Sequence, residues 1–227
     1  MEKPTGTLFI TATPIGNLED ISLRALRVLK DVDVIACEDT RRTLKLLNAH
    51  RIQKRLISYY QPREGQKIPL ILEILKEGKN VALVSDAGTP GLSDPGFKLI
   101  REVIKAGLNV VPIPGASAAA AALSAAGLPT DRFLFLGFPP PKREAARKML
   151  QALKGEKATL VFYLPTRKIT EFLFLLDEVL GNRPVVIARE LTKVHEEFIR
   201  GEARELRSRL EKRILKGEST VLVQGNK

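Results

Sequence analysis

The feature that most constrains the fold is an alternation of short apolar runs with helical segments across the first half of the chain. The apolar runs span residues 7–12, 34–36, 56–60, 81–85 and 110–113. Between them lie segments such as residues 22–32, where leucines recur at helical spacing. Strands that alternate with helices favour a parallel sheet. The sequence therefore predicts an α/β fold that begins with a mainly parallel five-stranded sheet.

The second half of the chain departs from this alternation. Two predicted strands, residues 185–189 and 196–201, follow each other without a helix between them, which favours a mixed sheet. An alanine-rich segment, residues 116–126, precedes this half and is interpreted as a connector. We therefore predict two α/β lobes, residues 1–115 and residues 116–227.

Composition excludes several classes of protein. No apolar run approaches the roughly 18 residues of a membrane span, and the first residues lack the apolar core of a signal peptide. We therefore expect a cytoplasmic protein with no membrane partner. One cysteine, Cys37, and two histidines leave too few ligands for a disulfide framework or a structural zinc site, so no metal is expected.

The charge of the chain favours a polyanionic partner. Lys and Arg number 37 against 26 Asp and Glu, a net charge of +11. Residues 41–55 hold six basic side chains and no carboxylate: Arg41, Arg42, Lys45, Arg51, Lys54 and Arg55. This segment is the candidate phosphate-binding surface. A solvated helix face, or the charge-rich composition of a thermophilic host, would explain it equally well.

Three loops that follow predicted strands have unusual composition. In a parallel sheet, ligands bind beyond the carboxyl ends of the strands. The loops are TPIGN at residues 13–17, SDAGTPGLSDPG at residues 85–96 and PGASA at residues 114–118. None contains the GxGxxG pattern, which argues against a simple dinucleotide site. The third is either a tight turn or a helix start with free N–H donors.

The loop at residues 85–96 is the most informative of the three. Its prolines fix φ and its glycines free it, which predicts a rigid loop with backbone exposed to a ligand. Asp94 fits the N-cap of the next helix, with Pro95 at the first helical position. Capping does not account for Asp86, Gly88 or Thr89, so we predict a ligand-binding role for the loop.

These motifs, in this order, carry a resemblance to a known family. TPIGNLEDIS, CEDTRRT, SDAGTPGLSDPG, PGASA and RELTKVHEEFIRG together resemble the ribosomal RNA small-subunit methyltransferase I family, over nearly the whole chain. That family belongs to the tetrapyrrole methylase fold group. The resemblance implies two α/β lobes with S-adenosylmethionine between them, and a homodimer. It also implies methylation of the ribose 2′-hydroxyl of a cytidine in 16S ribosomal RNA, either free or within the small subunit.

The resemblance also implies a set of residues around the cofactor. They are Pro14, Asp86, Ala87, Gly88, Thr89, Pro90, Ser117, Ala118, Tyr163 and Leu164. Tetrapyrrole-methylating relatives carry Gly-Asp-Pro where this chain has Gly88, Thr89 and Pro90, so the contacts of that aspartate are not transferred to Thr89. Many members of the family continue with a further carboxyl-terminal segment.

Catalysis of this reaction requires help for a poor nucleophile. A ribose hydroxyl must lose a proton during attack, so a base or a cation beside the developing alkoxide is expected. The candidates are Glu38, Asp39, Glu190, Lys193 and Glu197, and we select Lys193, Glu190 and Glu38. Glu190 and Lys193 could instead form a surface ion pair, and Glu38 with Arg41 an ordinary helix start.

The remaining predictions concern RNA and alternative functions. Besides residues 41–55, we expect Lys142, Arg143, Arg147 and Lys148 to face RNA phosphates. One alternative is a tetrapyrrole methylase of the same fold, which an aromatic content of 5% and the +11 charge disfavour. Another is a non-enzymatic RNA-binding protein, which would explain the charge but not the glycine-proline loop.

Overall fold

A computed structural model describes residues 4–61, 64–213 and 216–226 and divides the chain into two compact units. One unit ends at Ser117 and the other begins at Ala118. Within the described ranges, no helix combines the length and apolar character needed to cross a membrane.

The first unit is built on a parallel five-stranded sheet. Its strands are β1 (Thr7–Thr11), β2 (Val34–Cys37), β3 (Arg55–Ser58), β4 (Val81–Val84) and β5 (Asn109–Ile113). Their order across the sheet is β3-β2-β4-β1-β5, and each neighbouring pair is parallel. The predicted parallel sheet is confirmed.

Helices cover both faces of this sheet. They are α1 (Leu23–Asp31), α2 (Thr40–Ala49), α3 (Glu64–Lys76) and α4 (Phe97–Lys105). Alternate residues of one strand enter different cores: Val34 and Ala36 belong to one buried cluster, and Ile35 and Cys37 to another. Burial on both faces explains why these strands are continuous apolar runs in the sequence.

The second unit contains a mixed five-stranded sheet, as predicted. Its strands are β6 (Phe133–Gly137), β7 (Thr159–Pro165), β8 (Pro184–Arg189), β9 (Glu197–Glu202) and β10 (Glu218–Val223). Their order is β6-β7-β10-β8-β9; β6 and β7 are parallel, and the other neighbours are antiparallel.

Among the described residues of this second unit, four segments form α-helices. They are α5 (Ala118–Ala126), α6 (Arg143–Ala152), α7 (Ile169–Leu180) and α8 (Ala203–Leu210). A core that includes Leu150, Phe162, Leu176 and Leu206 joins α6, α7 and α8 to the sheet. Most of the predicted connector, residues 116–126, forms α5, which packs against β8 and β10.

The start of α4 was predicted wrongly. The helix begins at Phe97 with Gly96 as its N-cap, so Asp94 does not cap it and Pro95 is not its first residue. Gly96 has φ of 147°, and an added Cβ would lie 3.1 Å from Leu83 Cδ2. The chain turns at Gly96 because glycine alone fits this conformation and this space. The Asp94 side chain instead hydrogen-bonds to Ser85.

Candidate functional site

Sheet topology brings the three unusual loops of the first unit to one edge. Strands β4, β1 and β5 are adjacent and parallel, so the loops that follow them leave the sheet in the same direction. Strand β2 lies on the other side of β4, and the segment that follows it, Glu38 and Asp39, joins the same edge. Four segments that are separate in the sequence therefore lie at the same edge of the first sheet.

Backbone and hydroxyl hydrogen bonds join the three loops to one another. Thr13 and Gly88 exchange two backbone hydrogen bonds of 2.9 and 3.0 Å. The Thr13 hydroxyl donates to the Ser85 carbonyl at 3.2 Å, and the Thr89 hydroxyl donates to the Ala116 carbonyl at 3.2 Å. The three loops therefore form one connected framework, whose geometry is fixed by contacts between distant parts of the chain.

Two glycines in this framework are required by its geometry. Gly88 has φ of 80°, in the left-handed region that other residues rarely adopt. At Gly115, an added Cβ would lie 2.9 Å from the Cβ of Ala12, so the loop passes too close to β1 for any side chain. Glycine at these two positions therefore lets the three loops approach one another closely.

The expected cofactor residues are divided between the two units. Pro14, Asp86–Pro90 and Ser117 meet at the edge just described, where Ala87 is exposed and Pro90 is buried. The others lie in the second unit: Ala118 is the first residue of α5, and Tyr163 and Leu164 are on β7. The Leu164 side chain is in the core, so only its backbone is available to a ligand.

Carboxylates connect the loops after β2 and β4. The Asp86 Oδ1 accepts a hydrogen bond of 3.0 Å from the Asp39 N–H, and its Oδ2 lies 3.5 Å from the Arg42 Nε. Burial raises the pKa of Glu38, and the nearby Asp86 and Asp94 raise it further. Glu38 is therefore a stronger proton acceptor than an ordinary surface carboxylate once it is ionised.

Asp94 is a member of this carboxylate group that sequence reasoning missed. Burial raises the pKa of Asp94 to about 6, against an opposing hydrogen bond from Ser85 and with a further increase from Asp86. Because its position before Pro95 is typical of a helix N-cap, the sequence did not indicate that Asp94 belongs to the carboxylate group. The spacing of two aspartates in one loop was the only available sequence signal.

We expect the Asp94→Asn variant to be more stable than the unmodified chain at pH 8 by about 1–3 kcal/mol. The pKa of this carboxyl rises on folding from 3.8 to about 6. Below pH 3.8 the protonated carboxyl contributes its full stabilisation of the folded state, and this stabilisation is lost as the pH rises through about 6. The difference should therefore shrink at pH 4. Urea unfolding at both pH values measures it.

The exposed Asp131 provides the matched control. Asp131→Asn should change the free energy of unfolding little at either pH. An equal gain for Asp94→Asn at pH 4 and pH 8 would contradict the assignment, because the gain would then not depend on ionisation.

A second group of predicted residues meets at one edge of the second sheet. Strand β8 runs in the same direction as β6 and β7, because β10 is antiparallel to both β7 and β8. The carboxyl ends of β6, β7 and β8 therefore share an edge. Glu190 and Lys193 follow β8 there, and the Lys193 Nζ lies 3.0 Å from the Glu190 Oε1.

The loop after β8 has a strained but well-bonded backbone. Glu190 has φ of 51° and Thr192 has φ of 64°, values that are unusual for residues other than glycine. The Lys193 N–H donates to the Glu190 carbonyl at 3.0 Å, and the Thr192 N–H donates to the Glu196 carboxylate at 2.6 Å. Strain of this kind often accompanies functional loops.

Glu190 is better suited to hold Lys193 than to accept a proton. Burial acts to raise the pKa of Glu190, but hydrogen bonds from the Glu218 N–H and from Lys193 outweigh it and lower that pKa below its ordinary value. A carboxylate that ionises so readily is a weak base. The predicted pair is therefore brought together as an ion pair, and Lys193 remains about one-third exposed.

The structure separates the predicted basic residues into paired and unpaired groups. Arg41 lies 2.9 Å from Asp39, and Arg42 contacts Asp86. On α6 and α7, Arg143 and Arg147 both pair with Glu178. Within the described ranges, no carboxylate lies within 4.0 Å of the charged groups of the remaining members, Lys45, Arg51, Lys54, Arg55, Lys142 and Lys148.

In the part of the chain that is described, no group of three or more His, Cys, Asp or Glu side chains is arranged to hold a metal ion. The chemistry available at the two edges includes that of backbone groups, carboxylates and basic side chains, Lys193 among them.

Comparison with known proteins supplies a family context. Residues 7–207 match the family model for Tetrapyrrole (Corrin/Porphyrin) Methylases. A relative from Halalkalibacterium halodurans, named "Ribosomal RNA small subunit methyltransferase I", is 48% identical over 97% of this chain and 76% of its own length. A relative of the same name from Thermotoga maritima is 46% identical over 97% of this chain and 99% of its own length.

Solved structures are similar at the level of the fold. Cobalt precorrin-4 methyltransferase, a cobalamin biosynthetic enzyme, superposes with a TM-score of 0.71 over 96% of this chain and 94% of its own. Its sequence identity is 18%. This likeness supports the architecture and carries no information about the substrate.

Proposed function

The chain belongs to the tetrapyrrole methylase family, and from that premise we propose that it is an S-adenosylmethionine-dependent methyltransferase acting on small-subunit ribosomal RNA. The observation that carries the proposal is the identity of 46–48% to relatives of that name, over 97% of the chain. The resemblance inferred from the motifs is thereby confirmed. The proposed acceptor is the ribose 2′-hydroxyl of a cytidine.

The edge of the first unit fits the methyl donor chemically. S-adenosylmethionine presents a methyl group on a sulfonium, an ammonium, a carboxylate and an adenosine. The loops joined by Thr13 and Gly88 bring the partly exposed Pro14, Thr89 and Ser117 to this edge, and Asp86 supplies negative charge beside them. We propose that Pro14, residues 86–90 and Ser117 bind the donor from this unit, and that Ala118, Tyr163 and the Leu164 backbone bind it from the other.

Lys193 is proposed to act on the nucleophile. As the 2′-hydroxyl loses its proton during attack, its oxygen develops negative charge, and an ammonium beside it stabilises that charge and lowers the barrier. Glu190, 3.0 Å from the Lys193 Nζ, orients that ammonium. The Lys193 Nζ also lies 3.8 Å from the Glu218 Oε2, and the Lys193 side chain is about one-third exposed, which leaves it accessible to a substrate.

Glu38 is proposed to receive the proton. The hydroxyl proton must leave as the carbon–oxygen bond forms and the carbon–sulfur bond breaks, which converts the sulfonium to a neutral thioether. Burial and two neighbouring carboxylates raise the pKa of Glu38 and so strengthen it as a base. Bringing donor and acceptor into line should supply most of the remaining rate enhancement.

RNA phosphates are proposed to contact the unpaired basic residues. Replacing Lys45, Arg51 and Lys54 with glutamine should reduce the slope of log affinity against log salt concentration by about 2, since each phosphate contact to a single strand contributes roughly 0.7. These side chains have no carboxylate partner in the described ranges, so removing them disrupts no ion pair. Titration of ribosomal RNA at several salt concentrations measures the slope.

The control for this prediction removes the same charge elsewhere. Lys79, Arg101 and Lys105 pair with Glu77 and Glu102 on the surface of the same unit. Their replacement with glutamine should leave the slope unchanged. Equal slopes for the two triple variants would show that residues 41–55 are an ordinary solvated surface.

Two experiments separate this proposal from its alternatives. Calorimetric titration with S-adenosylmethionine should show binding, which a non-enzymatic RNA-binding protein would not. Methyl transfer to ribosomal RNA, and not to a precorrin-type tetrapyrrole, then distinguishes the RNA enzyme from a tetrapyrrole methylase of the same fold. Failure to bind the donor would refute both enzymatic functions.

We further propose that the chain acts in the cytoplasm as a homodimer, on ribosomal RNA or on the assembled small subunit. The net charge of +11 supports an RNA partner. Sedimentation of the purified protein at several concentrations tests the dimer, and a monomer at all concentrations would refute it.

A further inference from the structure

Three aromatic rings form a cluster at the β6–β7 side of the second sheet. The Phe135 and Tyr163 rings lie 5.0 Å apart, and the Phe138 and Tyr163 rings lie 5.6 Å apart, both edge to face. Although Tyr163 and Phe135 are partly buried, Phe138 remains 59% exposed. The exposed Phe138 ring therefore packs on Tyr163, which in turn packs on Phe135.

A β-bulge places Phe138 in this cluster. In a regular strand, residues 135 and 138 would point to opposite faces, because side chains alternate. The β6–β7 pairing shifts register between Phe135 and Gly137, and Gly137 has φ of 63°. Both phenylalanines consequently contact Tyr163, while Leu134 and Leu136 pack against the helical core. Bulges of this kind re-aim a side chain at functional sites.

The segment after Phe138 is stiff. Pro139, Pro140 and Pro141 follow directly, and each fixes its own φ. The ring therefore loses little conformational freedom when it meets a flat partner.

Cations without carboxylate partners follow β6 and β7, the two strands that carry the aromatic cluster. Because β6 and β7 are parallel, the segments that follow them emerge at the same edge. Lys142 follows β6, and Arg167 and Lys168 follow β7. Within the described ranges, none of these three takes part in an ion pair, unlike Arg143 and Arg147 nearby. An exposed ring and unpaired cations on the same sheet edge are the two features that bind single-stranded nucleic acid.

We propose that Phe138 stacks on a base of the RNA substrate that flanks the methylated nucleotide, while Lys142, Arg167 and Lys168 contact the adjoining phosphates. This inference rests on the proposed function. Three strand spacings separate β6 from β8, so the end of β6 lies about 14 Å from the end of β8, the strand that leads into the loop with Lys193. That distance places Phe138 beside a neighbouring nucleotide, not beside the reacting ribose.

The charges around the ring favour RNA over a second copy of the chain. A symmetric contact between two copies would bring the same patch against itself, with Lys142, Arg167 and Lys168 from each side. Such a contact would oppose like charges, whereas a phosphate backbone would neutralise them.

The test compares Phe138→Leu with Phe133→Leu in the full chain. Phe133 lies on the same strand and is 53% exposed, but it has no ring contact in the described ranges. Fluorescence anisotropy with a short, labelled single-stranded oligoribonucleotide measures affinity. We expect Phe138→Leu to weaken binding by about 5- to 100-fold, the usual effect of losing one stacked base. Phe138→Tyr should bind like the unmodified chain, and so should Phe133→Leu.

Several outcomes would overturn the inference. They are unchanged affinity of Phe138→Leu, no binding of the oligoribonucleotide by the unmodified chain, and an equal loss in Phe133→Leu. A change of sedimentation mass in Phe138→Leu would identify the ring as a contact between copies, and loss of S-adenosylmethionine affinity alone would identify it as part of the cofactor site. Methyl transfer by the unmodified chain to ribosomal RNA tests the proposed function separately, so the two failures are distinguishable.

Discussion

The Gly88→Val variant should fold but no longer bind S-adenosylmethionine. Gly88 has φ of 80° and exchanges two backbone hydrogen bonds with Thr13. A β-branched residue is strained at this φ by about 1–3 kcal/mol, and the loop relieves the strain by leaving that conformation. Because the framework joins three loops, movement at Gly88 would displace all of them. Calorimetric titration measures the loss.

Gly107 provides a matched control for this prediction. It has φ of 70°, lies between α4 and β5 at the opposite edge of the sheet, and has no atom within 4 Å of an added Cβ. Gly107→Val should therefore carry similar backbone strain but retain cofactor affinity. Normal binding by Gly88→Val, or equal losses in both variants, would contradict the cofactor site.

The Lys193→Ala variant should bind both substrates but transfer methyl groups about 10²–10³-fold more slowly, the usual effect of removing one group that stabilises a developing anion. Lys193 is held by Glu190 at 3.0 Å in a loop with two left-handed residues. Its loss should lower kcat without raising KM for the donor, because the ammonium acts mainly in the transition state. Single-turnover kinetics with ribosomal RNA measure the effect.

Lys79 is a suitable control lysine. It forms an ion pair with Glu77 at 2.7 Å on the surface of the first unit. Lys79→Ala should leave kcat unchanged. If Lys193→Ala also retained kcat within about twofold, the Glu190–Lys193 pair would be an ordinary surface ion pair of small energetic value.

Sequence reasoning located the elements of the first sheet well because burial determines their pattern. Strands covered on both faces must be apolar throughout, and β4 (Val81–Val84) is such a run. The start of α4 was predicted wrongly because Asp94 before Pro95 is a typical helix start in the local sequence, whereas a contact with a distant residue sets the observed start. The fit of Gly96 against Leu83 decided the outcome, and no local pattern reveals that contact.

The site was predicted in part for a similar reason. Composition singled out the loops that contain Gly88 and Ser117, since glycine and proline alter the backbone wherever they occur. The hydrogen bonds between Thr13 and Gly88 depend on strand order, which the sequence leaves undetermined. Phe138 was missed because strand alternation assigns it to the wrong face, and only the bulge at Gly137 brings it to Tyr163.

The most direct test of the central claim follows the methyl group. The purified protein would be incubated with methyl-labelled S-adenosylmethionine and unmodified small ribosomal subunits, and the RNA digested to nucleosides for chromatography and mass spectrometry. The proposed function predicts label in 2′-O-methylcytidine. Absence of label from RNA despite demonstrable donor binding, or label on a base instead of a ribose, would contradict it.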